Sequence, residues 1–205
     1  FVTYSICSVL LLRAVPVTVT PLKVLRFFEN FTQDGFSVHS NWVPFDRINP
    51  SVVQAVIATE DNNFATHNGF DWEAFDENRE GKRLRGGSTI SQQTAKNVFC
   101  FPSRTWLRKG FEAYYTVLIE CCWSKRRIME TYLNVIETGR NMYGVAREVY
   151  GKSAKELNRY EASMIATVLP NPLRMRLQNP SNYMVRRAAR VRTLMNMVGE
   201  VDLGR

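Results

Sequence analysis

The 205 residues suit one domain with a sizeable core and an appendage, and 27 Lys and Arg against 19 Asp and Glu leave a net charge of +8. That excess asks for an anionic partner: phospholipid, a phosphate-bearing substrate or nucleic acid. Four cysteines (Cys7, Cys100, Cys121, Cys122) without a C-x-x-C pair imply no disulfide framework, and two histidines, His39 and His67, argue against a histidine-rich zinc site.

Phe1 to Leu12 carries no charge, and Arg13 precedes a second apolar run, Ala14 to Val19. Such a run is too short to span a bilayer, which takes about 20 residues. Because the chain opens on Phe rather than Met, the expectation is the end of a cut membrane helix with Arg13 near its exit. A signal-peptide remnant or a buried core helix is the alternative. Pro16 and Pro21 break that helix, and Leu22 to Phe28, with Lys23 and Arg26, suits the headgroup layer. Asp34 to Pro50 reads as loop, punctuated by Trp42, Pro44 and Asn49-Pro50.

Asn49 and Pro50 look like the N-cap and first residue of a helix. Its stripe Val53, Val56, Ile57 assigns the next core-facing place to Glu60. A buried carboxylate costs several kcal/mol unless paired. Desolvation would raise its pKa and make it a proton acceptor near neutral pH. One further turn would place Phe64 and His67 under Glu60, with Gly69 as the stop. The competing reading is a capped, salt-bridged glutamate at a helix end. Asp71 to Arg85 is a charged connector, helical at first.

Gly86-Gly87-Ser88-Thr89-Ile90-Ser91-Gln92-Gln93-Thr94-Ala95-Lys96-Asn97 is the second dense stretch. Thr89 with Gln92 forms a capping box, so a helix starts there. The glycines let backbone approach a ligand, and free N–H groups at a helix start favour an anion. Thr89, Gln93 and Lys96 share a face, and the Lys follows the glycines by too much for a Walker A loop. An ordinary Gly-Gly turn explains the glycines but not two Gln, a Lys and an Asn on a short helix.

Arg104 to Asn134 reads as helix on the stripe Leu107, Phe111, Tyr115, Leu118, Cys122. Arg108 and Lys109 precede Glu112 by four and three residues, either as a solvated ion-pair cluster or as an acid held between two cations. Lys125-Arg126-Arg127 continues the helical region to Tyr132-Leu133-Asn134, and Gly139 and Gly144 mark a loop. Asn158 with Glu161 caps a helix containing Ile165, Ala166 and Leu169 that stops at Pro170-Asn171-Pro172. The last helix places Met184, Ala188, Val191, Met195 and Val198 on one side. Arg186, Arg187 and Arg190 form a ridge beside it, a solvated face or an attractor of anionic headgroups. No β-alternation of any length occurs, so the fold class is mainly α.

These stretches resemble the peptidoglycan glycosyltransferases, the enzymes that polymerise the lipid-linked disaccharide of bacterial cell walls, from about Val43 to Pro172. Glu60-Asp61-Asn62-Asn63-Phe64 with His67 and Gly69 fits E-D-x-x-F-x-x-H-x-G. Gly87 to Gln93 with Lys96-Asn97 fits G-S-T-I-x-Q-Q-x-x-K-N. Arg108-Lys109-Gly110-Phe111-Glu112 fits R-K-x-x-E, and Lys125 to Asn134 is similar to K-x-x-I-x-E-x-Y-L-N. One departure is visible: Val149-Tyr150-Gly151-Lys152 stands where the family usually has Tyr-Phe-Gly-Lys. The length leaves no room for a transpeptidase domain, so the chain looks like the monofunctional, membrane-anchored form.

The resemblance implies a lysozyme-like helical head with a small membrane-associated jaw, preceded by a truncated N-terminal transmembrane helix. Residues 1–20 would end the anchor and residues 21–205 form the glycosyltransferase domain. Trp72, Phe75, Val98, Phe99, Phe101 and Trp106 are expected in the jaw. By the same resemblance Glu60 is the general base and Glu112 the second acid, near the donor pyrophosphate. Ser88, Thr89, Gln93, Lys96, Arg108 and Lys109 bind that pyrophosphate, and Asp61, Phe64, His67, Gln92 and Asn97 complete the substrate-binding set. Mg2+ or Mn2+ assists several members, although nothing in the sequence specifies a metal site. The implied partners are lipid II, the growing glycan, the bacterial inner membrane and other cell-wall synthases, with no nucleic acid. The implied location is that membrane, crossed once, with the catalytic domain on the periplasmic side. A lysozyme-like peptidoglycan glycoside hydrolase is the rival, since it too needs two carboxylates around a sugar. A hydrolase has no pyrophosphate to hold, and a non-enzymatic basic module leaves Glu60 unexplained.

Overall fold

The computed structural model describes residues 1–30, 41–79, 87–103, 105–136, 144–171 and 175–204. Gly86, Arg104, the 139–143 loop and Pro172 lie outside the described residues, as do residues 80–85 of the 71–85 connector and residues 34–40 of the 34–50 loop. Helices α1 (Val2–Ala14), α2 (Pro21–Asn30), α3 (Pro50–Glu60), α4 (Trp72–Arg79), α5 (Ile90–Phe99), α6 (Trp106–Cys122), α7 (Lys125–Val135), α8 (Arg159–Val168) and α9 (Asn182–Val198) follow one another, with a 3-10 turn at Phe45–Arg47 and a π-helical stretch at Val145–Val149. No strand occurs among the described residues.

The local signals form as read. Asn49 accepts the Ser51 N–H at 2.9 Å with Pro50 at the first helical position. Thr89 with Gln92 and Asn158 with Glu161 both close complete capping boxes. Two expectations fail. The stretch read as one helix to Asn134 breaks after Cys122, because Trp123 is extended and Ser124 caps a new helix by accepting the Arg127 N–H at 3.2 Å. Helix α3 also ends a turn early: Asp61 is its C-cap, and Phe64 and His67 sit on turns rather than under Glu60.

Helix α3 packs on α8 and α9, while α5 packs on α6 and α7. One apolar cluster joins both groups through Val56, Ile57, Ile90, Ile119, Ile128, Ile165 and Val191. Each such side chain, fully enclosed, contributes about 1.5–3 kcal/mol. Asn134, buried in α7, exchanges two hydrogen bonds with the backbone of Val43 at 2.8 and 2.9 Å and fixes the approach to α3.

Helix α1 lies on α6. Val9 is 0% exposed within the main core, and its carbonyl accepts the Trp123 indole N–H at 2.8 Å. Most of its other apolar side chains, Phe1, Tyr4, Leu10 and Leu11 among them, stay exposed. Among the described residues no helix is long and apolar enough to cross a membrane. Of the residues expected in the jaw, Trp72, Phe75, Phe101 and Trp106 are exposed, the last at 91%. Val98 is instead buried against Val17 and Val135, and Phe99 stacks on Tyr115 at 4.4 Å. The C-terminal turn of α5 points those two side chains inward.

Candidate active site

Glu60 is the last residue of α3 and is half-buried rather than enclosed, so its carboxylate edges the core instead of entering it. Gln93, on the first turns of α5, donates its amide Nε2 to Glu60 Oε2 at 3.1 Å and to the Ser88 carbonyl at 3.4 Å. The Tyr132 hydroxyl donates to Gln93 Oε1 at 3.4 Å. Tyr132 is fully buried, and burial first, then the Glu60 and Asp61 carboxylates, push its pKa well above the usual phenol value. It therefore remains a donor and keeps the nitrogen of Gln93 turned towards Glu60.

Behind this pair the 61–69 loop is tied to α5. Asp61 Oδ2 accepts the Ile90 N–H at 2.9 Å, and Thr89 Oγ1 accepts the Gln92 N–H at 3.1 Å. These are two of the unpaired amides that begin any helix. The expectation of free N–H groups there for a ligand anion is corrected: the anion at the start of α5 is Asp61 itself. His67 Nδ1 accepts the Gly69 N–H at 3.0 Å, which places the imidazole proton on Nε2, 2.9 Å from both Asp61 oxygens. Thr89 Oγ1 donates to the Gly69 carbonyl at 2.7 Å. Gly69 has φ +90°, and a Cβ there would stand 2.8 Å from Thr116 Cγ2. Only glycine fits both conditions. Phe64 is 0% exposed and Gln92 is committed to the capping box. Asp61, Phe64, Thr89 and Gln92 are thus buried, with Asp61, Thr89 and Gln92 hydrogen-bonded within the protein.

The second cluster belongs to α6. Thr105 caps it by accepting the Arg108 N–H at 3.2 Å. Glu112 is 2% exposed, with Oε2 held by Arg108 at 2.5 Å and Oε1 by Lys109. The alternative of a solvated surface trio is thereby excluded. Arg108 Nε is buried with no hydrogen-bond partner. Lys96 has an exposed side chain, yet lost hydration round its ammonium lowers its pKa, and Glu112 opposes that while Arg108 and Lys109 add to it. All four side chains therefore share one field. Cys100 joins it: burial first, then Glu112, push its thiol up to about 11 against the pull of Arg108 and Lys96, so it stays protonated.

Helix α5 links the clusters, since Gln93 and Lys96 are three residues apart on one face. Asn97 follows Lys96 and is half-buried. Sequence reasoning missed Tyr132 as the group that orients Gln93, and Cys100; the first lay in plain view within the K-x-x-I-x-E-x-Y-L-N stretch. Three or more His, Cys, Asp or Glu side chains able to share a metal do not occur among the described residues.

A family model described as Transglycosylase matches residues 27–197. The chain is 51% identical to a biosynthetic peptidoglycan transglycosylase of Bdellovibrio bacteriovorus, over 93% of this chain and 80% of that protein. It is 47% identical to the protein of the same name from Bacteroides thetaiotaomicron, over 97% and 83% of the two chains, and 41% identical to that of Pasteurella multocida, over 99% and 86%.

Proposed function

The chain belongs to the transglycosylase family, and with that as premise we propose that its cleft transfers a growing glycan from a lipid pyrophosphate donor to lipid II. The enzyme is a peptidoglycan glycosyltransferase, so a sugar acceptor must lose a proton and a donor must lose its leaving group. Glu60 takes the proton from the 4-hydroxyl of the incoming lipid II. The freed oxygen attacks the anomeric carbon of the donor from the face opposite the pyrophosphate, the C–O bond to the pyrophosphate breaks, and a β-1,4 bond forms with inversion. Undecaprenyl pyrophosphate departs with the negative charge.

The observation that carries this reading is the placement of α5, which holds Glu60 through Gln93 and, one turn on, offers Lys96 to the field of Arg108, Lys109 and Glu112. A base at one end and cations at the other suit an incoming hydroxyl and a departing pyrophosphate. Donors fixed before the charge develops stabilise it without reorganising. Glu112 is the second acid in this scheme, and with both oxygens engaged it positions the cations. For the same reason it offers no site for a protein-held metal. Mg2+ or Mn2+ enters the proposal only as a counter-ion carried by the donor pyrophosphate.

A lipid-bound donor requires the cleft to work at a membrane. Exposed Trp72, Phe75, Phe101, Trp106 and Leu107, with the exposed side of α1, support contact with a bilayer. We place the enzyme at the bacterial inner membrane, on its periplasmic side, with α1 leading to a single-pass anchor and other cell-wall synthases as partners. The test is incubation with labelled lipid II and separation of polymer from monomer. Polymer with release of the lipid pyrophosphate is expected. Soluble sugar released from preformed glycan, with no polymer, would put the hydrolase in its place.

A further inference from the structure

The first turn of α7 carries three consecutive cations and no acid, although the start of a helix is its positive end and repels them. Each cation reaches a different segment. Arg126 pairs with Asp46 at 2.5 Å and covers the Phe45 ring, and Arg127 reaches the Leu12 carbonyl at 2.8 Å at the end of α1. Lys125 turns to the loop that follows Glu60. Its Nζ donates to the His67 carbonyl at 2.5 Å and to Glu120 Oε1 at 2.8 Å, and stands 4.8 Å from the centre of the Phe64 ring. Two of the three donors of the ammonium are thus taken by protein oxygens, and an aromatic ring lies beside it. Lys125 is therefore directed into the fold, with its side chain 16% exposed.

Resting on the assignment of Glu60 as base, we propose that Lys125, braced by Glu120, is a positioning residue for that base. The path is short and polar throughout. Glu120 Oε1 also accepts from Ser91 Oγ on α5, so α5, α6 and α7 meet at one carboxylate. Lys125 holds the backbone of His67, His67 holds Asp61, and Asp61 is the neighbour of Glu60 and binds the start of the helix that supplies Gln93. Gly69 lets the loop close on this point: its absent Cβ leaves room for Thr116 Cγ2 and for Glu120 Cγ, which lies 3.0 Å from where that atom would be. Both members of the pair are largely buried, the Lys125 and Glu120 side chains at 16% and 8% exposure. Removing one leaves the other charge without its partner.

The test uses the whole chain and lipid II, with Lys125→Met, Lys125→Arg, Glu120→Gln and Glu60→Gln beside the parent. A displaced base loses rate and leaves the cation cradle intact. Lys125→Met should therefore lower kcat on the order of 10²-fold, the effect of a misplacement of about 1 Å, with KM unchanged. Lys125→Arg should recover part of the loss, and Lys125→Met combined with Glu120→Gln should be no slower than the slower single variant. Folding is followed by circular dichroism, and rates are compared where each variant is folded. If Lys125→Met does not fold, Glu120→Gln carries the same expectation of lowered kcat at unchanged KM. Parental kcat in folded Lys125→Met, or a raised KM at parental kcat, overturns the inference. Glu60→Gln separates the two claims: if it is inactive while Lys125→Met is parental, only the positioning role falls. If Glu60→Gln is active, the assignment of the base falls first.

Discussion

Gln93 presents its amide nitrogen to Glu60 Oε2 across 3.1 Å, with its oxygen held from behind by the buried hydroxyl of Tyr132. The contact joins the end of one helix to the beginning of another, 33 residues on. It keeps a half-buried carboxylate hydrogen-bonded and aimed along the face of α5 that also carries Lys96.

Glu60→Gln preserves the shape of this contact and removes the proton acceptor. Polymerisation should fall by roughly 10²–10⁴, the contribution of a general base. Affinity for lipid II should stay near that of the parent. A variant that keeps half the parental rate would rule out Glu60 as the base.

The cation cluster is tested by Lys96→Ala and Arg108→Ala. Each should cost on the order of 2–4 kcal/mol in transition-state stabilisation, the size of losing a main contact to developing charge. A phosphoglycolipid mimic of the donor should bind both variants more weakly. Initial rates and inhibitor affinities at parental values would make these groups ordinary surface charges.

Lys96 also predicts a pH dependence. Its pKa lies below the usual 10.5, chiefly through lost hydration. A lysine with a lowered pKa is cationic below that value and neutral above it, so its hold on pyrophosphate weakens as pH rises through a point short of 10.5. Between the two values the unfolded chain binds the proton more tightly, so discharging Lys96 favours the fold and unfolding is not the cause. The alkaline limb should appear in kcat/KM, which reports the free enzyme, and move to higher pH in Lys96→Arg. Superimposable limbs for parent and variant would exclude Lys96 as its source.

Helix α1 is more than an extension of the chain. Removing residues 1–19 strips the Trp123 indole and the Arg127 guanidinium of their partners at Val9 and Leu12. An unsatisfied buried donor costs about 1–3 kcal/mol. The truncated protein should show a lower denaturation midpoint as well as weaker binding to vesicles. An unchanged midpoint would mean that α1 only leans on the head.

The helix starts at Asn49, Thr89 and Asn158 were legible because each cap acts within three residues, a range over which the chain is its own environment. The two acids, the cations and their order were legible as well. Their roles came from the motif resemblance, and only the spacing of Gln93 with Lys96 on α5 and of Arg108 and Lys109 with Glu112 on α6 follows from the helix period. The rest was settled by partners far away in the chain. Helix α3 stops at Glu60 where Asp61 turns away to bind the Ile90 N–H, 29 residues on, and nothing in the apolar stripe before it announces that bond. The long helix breaks at Ser124 because a local cap competes with a continuing apolar period, and the packing of α7 against α5 decides between them. The sequence shows Lys125 only as part of a basic run that continues a helix, and its partner, the His67 carbonyl 58 residues earlier, is set by the closed fold. Periodicity and caps are properties of a segment and can be read from it. Burial, and which donor meets which acceptor, are properties of the closed chain, because the free energy of a buried polar group depends on the neighbour that folding brings to it.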